Sequence, residues 1–137
     1  MIREALDMRA HVRDRLRAHF DRPLEAPEAL LKEVANHGRV LEIVYKKKRP
    51  HRLGLARFLC QSLEELLAGW QQLSLQHQKL LQSACLYFVE NQPAGDHDLA
   101  ADTGLDDDLE VFTAVVKSLG RVDLAEGAHR AAQSETA

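Results

Sequence analysis

Apolar side chains recur at spacings of three and four through five stretches of this chain, the signature of helices with one buried face. From Ile2 to Phe20 the stripe is narrow: Leu6, Arg9, Val12 or Arg13, Leu16 and Phe20. Asp21-Arg22-Pro23 ends it, because a residue before proline is pushed out of the helical region. A second helix is predicted from Pro27, with Leu30, Val34, His37, Leu41, Val44 and Lys48 on one side. It must cross Gly38, and Val40 to Tyr45 carries strand-forming residues. No good partner strand exists elsewhere, so the helix is the better reading.

A third helix follows over about Leu55 to Leu73, its face made of Leu55, Leu59, Leu63, Leu66, Leu67 and Trp70. Ser74 can cap a fourth, which runs to about Asn91 with His77, Leu81, Ala84, Cys85 and Phe88 inward. Gln92-Pro93-Ala94-Gly95 breaks it. The fifth begins near Asp106 or Asp107, with Glu110 completing a capping box. It buries Leu109, Phe112, Val115, Val116 and Leu119, and Gly120 suits its C-terminal cap. The expectation is an all-α, single-domain bundle of about five helices over residues 1–122, with an acidic turn before the last main helix. Residues 123–137, rich in alanine and polar side chains, read as a flexible tail.

Composition alters this picture little. The 137 residues are 45% hydrophobic and only 5% aromatic, so the core must be mostly Leu, Val and Ala. Charge alters it more. Residues 1–60 hold 14 Lys and Arg against 8 Asp and Glu, whereas residues 61–137 hold 4 against 13. Either the halves attract each other, or the basic half offers a face to an anionic partner. No leader-like apolar segment opens the sequence and no run suits a membrane span. Cys60 and Cys85 lack CxxC spacing and read as buried thiols, so a cytoplasmic location is expected.

Candidate chemistry lies in two places. Asp96, Asp98, Asp102 and Asp107 could hold a divalent cation, although the spacing fails the EF-hand pattern and turn or cap duty explains aspartates there more simply. Lys46, Lys47, Lys48, Arg49 and Arg52 could contact phosphates, with few aromatics to stack on bases. The seven histidines form no zinc motif; His37 or His77 could meet Cys60 or Cys85, yet a core histidine is the simpler reading. Nothing resembles a phosphate loop, a nucleophile elbow or a zinc-protease helix, so no cofactor and no catalytic residue is expected.

Ala84, Tyr87 and Phe88, then spaced aspartates, then Gly104-Leu105-Asp106-Asp107 and an apolar helix make residues 84–119 similar to the YkvA-like family of small bacterial helical proteins. The resemblance implies a helical fold with an acidic turn and carries no catalytic assignment. The function expected is a non-enzymatic interaction or scaffold protein that binds a protein, a second copy included, through a helical face. The alternatives are a nucleic-acid accessory protein using the basic half and a metal-dependent activity at the acidic turn.

Overall fold

The structure, a computed structural model, describes residues 8–48, 50–90 and 103–133. They form six α-helices and, among the described residues, no strand: α1 Ala10–Phe20, α2 Pro27–Lys48, α3 Leu53–Ala68, α4 Leu75–Val89, α5 Thr103–Ser118 and α6 Val122–Gln133. Single 3-10 turns at Pro50–Arg52 and Trp70–Gln72 flank α3.

The arrangement is built around α4. Every residue from Leu80 to Phe88 is buried, including Gln82 and Ser83, and α1, α2, α3 and α5 all pack on this helix. A helix apolar on nearly all sides belongs in the interior. Its polar residues are satisfied there. Gln82 donates to the Pro23 carbonyl at 2.9 Å and accepts from the Glu25 N–H at 2.8 Å, which ties the α1–α2 loop to the central helix. Ser83 donates to the Lys79 carbonyl one turn back. Ser74 caps the helix by accepting from the His77 N–H, as its sequence predicts.

Helix α2 does cross Gly38 without a break, and Leu30, Val34 and Leu41 are buried on it, joined by Tyr45. Gly38 is there because α3 comes close: a Cβ at this position would stand 2.5 Å from the Cys60 sulfur. His37 turns inward edge-on to Phe88, with ring centroids 5.0 Å apart. The stripe of α3 is buried throughout, from Leu55 to Trp70.

At the end of α5 the Gly120 N–H reaches the Lys117 carbonyl and the Arg121 N–H the Val116 carbonyl, with Gly120 at φ +81°. This is the glycine-capped ending expected of it.

Three expectations need correction. Residues 123–133 are not a flexible tail: α6 buries Leu124, Ala125 and Ala128 against α3 and α5. Gly127 makes the close fit possible, since a Cβ there would lie 2.6 Å from the Phe58 ring. Residues 134–137 lie outside the described part. Second, α5 begins at Thr103, so Asp106 and Asp107 lie inside the helix and are not its caps. Third, Glu110 completes no capping box with Asp107; it accepts from the backbone N–H of Arg9, the residue that precedes α1, at 2.6 Å. It satisfies an orphan donor of another helix.

Candidate interaction surface

The acidic residues at the start of α5 meet arginines from the first half of the chain. Arg9 reaches Asp107 with one guanidinium nitrogen and Glu110 with another, the latter at 2.7 Å. Both contacts raise the Arg9 pKa further above its ordinary value, Glu110 most. Arg52 holds Asp106 at 2.9 Å. At the C-terminal end of α4, Glu90 accepts from Arg15 at 3.2 Å and lies 2.9 Å from His19 Nε2. Arg15 also stacks over the Tyr87 ring, 4.6 Å from its centroid. The charge asymmetry between the halves is thus partly spent inside the fold, in cross-chain pairs that join α1 to α4 and α5.

That placement changes the candidate metal set. Asp107 is committed to Arg9, and Asp96, Asp98 and Asp102 lie outside the described residues. Among the described residues no group of three or more His, Cys, Asp or Glu side chains could hold a metal ion. The cysteines are not poised for chemistry either. Burial pushes the Cys60 thiol up to about 11 and the Cys85 thiol higher still. Cys60 donates to the Val34 carbonyl at 3.6 Å. His37 is held well below its usual pKa, at about 4, by burial.

The candidate phosphate contacts divide. Lys46, Lys47 and Lys48 are exposed in the last turn of α2, where cations also suit the helix dipole. Arg49 lies outside the described residues. Arg52 does not belong with the lysines: it is 9% exposed and turned toward Asp106. A basic run in the sequence therefore contains a buried structural arginine, a distinction that depends on a residue 54 positions away.

One feature of this region was missed by reading for periodicity. Val40 is 43% exposed and Ile43 70% exposed, the latter the most exposed of the large aliphatic side chains among the described residues. At i and i+3 they share the outward face of α2, and Lys47, four residues on, extends it. In the sequence Val40 and Ile43 read as strand-forming residues. The signal for this face was their position opposite the buried stripe.

Below that face, a groove of about 270 Å³ between α2 and α3 is lined by Gly38, Glu42, Arg57 and Cys60. Arg57 forks onto Glu42 there, with its Nε 3.0 Å from Oε1. A second groove, of about 330 Å³, lies along α5 between Asp106 and Lys117 and is closed on one side by His129. Both are open to solvent and lined by mixed charges. The first brings the Cys60 thiol near Glu42 and Glu64, but Arg57 engages Glu42, and burial together with Glu64 raises the Cys60 thiol.

No helix among the described residues is long and apolar enough to cross a membrane. Compared with family models, with curated proteins and with solved structures, the chain matches none.

Proposed function

We propose that this chain is a non-enzymatic interaction protein, a small helical domain that docks another protein on the outward face of α2. The observation that carries the reading is the exposure of Val40 and Ile43 on a helix whose opposite face is fully buried. Leaving large aliphatic side chains in water is unfavourable by about 25 cal/mol per Å². A partner that covers them recovers that free energy. Two adjacent aliphatics with polar residues around them match the apolar-centre, polar-rim layout of protein interfaces.

The test is a photo-crosslinking residue placed at position 43, with the same residue at exposed position 14 as control. The adduct formed only from position 43 is identified and the partner purified. Its binding should then be lost in Ile43→Glu. Adducts that do not differ between the two positions, or a partner indifferent to Ile43→Glu, would overturn the reading.

A second reading rests on Lys46, Lys47 and Lys48 standing exposed together. A nucleic acid held there would bind electrostatically, weakening steeply with salt. No gel shift at low salt would remove it.

A further inference from the structure

Resting on the docking face just proposed, we infer that its partner is an acidic amphipathic helix: aliphatic anchors over Val40 and Ile43, with carboxylates reaching the surrounding lysines. Two sets of observations support this partner chemistry.

The first is how the charges are distributed after the fold has used what it needs. Five arginines are engaged: Arg9, Arg15, Arg52, Arg57 and Arg121 each hold one or two carboxylates. Lys46 and Lys47 are in none of the ion pairs found among the described residues, and both are exposed beside Ile43. One turn earlier, Arg39 is exposed too, and its one hydrogen bond among the described residues is to the neutral Asn36. The rim around the two aliphatics sets Arg39, Lys46 and Lys47 against one carboxylate, Glu42, which Arg57 holds and Lys46 also attracts, so positive charge is left over. Complementary potentials across an interface set its partner and its register.

The second is shape. From Val40 to Lys47 the face is about 10 Å long at 1.5 Å per residue, two turns of a helix. The groove beside it, between α2 and α3, is lined by Arg39, Glu42 and Arg57 and does not hold Val40 or Ile43; the face itself is a helix, so its natural complement is another helix laid along it.

The same observations disfavour other occupants. A nucleic acid gains little from covering Val40 and Ile43, and Tyr45, the aromatic of this helix end, is 1% exposed and offers no ring for base stacking. A membrane-surface helix needs a broad apolar face with large anchors. Here the rest of the apolar side of α2 is buried in the protein. A second copy fits less well, because Arg9, Arg52 and Arg121 already hold Asp107, Asp106 and the Glu65–Asp123 pair.

The experiment is a selection on the full chain from a displayed library of helical peptides. Aliphatic residues are fixed at i, i+3, i+4 and i+7, and every flanking position is open to Glu, Gln or Lys. Peptides that also bind Ile43→Glu are discarded at each round. Enrichment of Glu flanks is expected. The best such peptide, measured by fluorescence anisotropy, should bind at least tenfold more weakly to Lys46→Ala/Lys47→Ala and lose affinity as salt rises. All the substituted side chains point to solvent, and unchanged melting of the variants checks that they fold. Binders enriched in Gln or Lys flanks, still lost in Ile43→Glu, would overturn the acidic partner and leave the docking face standing. No enrichment over the Ile43→Glu background would overturn both. Tighter binding of single-stranded RNA, or of vesicles with one-third anionic lipid, through the same lysines would replace the partner class.

Discussion

The seam between α1, α4 and α5 and the outward face of α2 hold the same kinds of residue and use them oppositely. In and beside the seam carboxylates take up the polar side chains: Arg9 bonds Asp107 and Glu110, Arg15 bonds Glu90, which also lies 2.9 Å from His19, and Arg52 bonds Asp106. On α2 lysines and aliphatic side chains stand in water, Ile43 most of all. The choice of cation matches the duty. A guanidinium presents several donors in a fixed plane and can bridge two carboxylates, as Arg9 does, whereas an ammonium on a flexible stem is readily left hydrated. Charge in the seam organises the fold; Lys46 and Lys47 on α2 are exposed and in none of the ion pairs found among the described residues. If this division is real, substitutions in the two regions should separate stability from binding.

The largest effect should come from the inner side of α2, which belongs with the seam by burial. His37 has a folded pKa of about 4 against an ordinary 6.5, because burial disfavours its charged form. Between those values the unfolded chain binds more protons than the folded one. Stability is therefore full above pH 6.5 and falls as pH drops toward 4. The loss from this group alone is on the order of 3 kcal/mol. Urea denaturation across that window should give a slope that is clearly shallower in His37→Gln. Equal slopes would mean that His37 is not buried against Phe88.

Next in size is Glu90→Ala. It strips the shared carboxylate from Arg15 and His19, whose side chains are only 32% and 14% exposed. Leaving charged or polar groups half-buried and unpaired costs about 1–3 kcal/mol. Thermal melting should show the loss, and Glu90→Gln, which can still accept, should recover part of it. A smaller fall is expected for Asp107→Ala, since its pair with Arg9 is largely exposed and such pairs contribute little. That fall should be the same with and without magnesium. A melting point that climbs with metal only when Asp107 is intact would restore the metal reading.

How much of this was legible in the sequence follows the range of the interactions. The stripe Leu30, Val34 and Leu41, the Ser74 cap and the Gly120 ending are local patterns, and each is where periodicity and capping chemistry put it. Arg52 looked like its basic neighbours, and Asp107 looked like a cap, because their partners are 54 and 98 positions away. Helix α6 failed for a related reason. Its small residues Ala125 and Ala128 are buried only because α3 and α5 pack on it, and Gly127 lies against the Phe58 ring, which meets Phe112 edge-on at 6.2 Å. The outward face of α2 was half legible: Val40 and Ile43 fall opposite the buried stripe. Only the fold shows that they stay exposed among the described residues.

The smallest expected stability change is the most informative for the comparison. Ile43→Ser and Lys46→Ala/Lys47→Ala touch exposed side chains with no ion pair among the described residues. Surface changes of this kind usually stay within about 0.5 kcal/mol. Two small terms even oppose each other: serine at 43 removes an aliphatic side chain from water, while losing the lysines weakens the interaction of the last turn of α2 with its dipole. Melting midpoints close to that of the unmodified protein are therefore expected for both variants, at low and at moderate salt. Binding through this face should nonetheless drop in both. A large stability loss in Ile43→Ser would show that the side chain is already covered, by a part of the chain or by a second copy. Measuring the midpoint at two protein concentrations tells these apart, since only a second copy makes it concentration-dependent. Either result would move α2 from the side of binding to the side of folding.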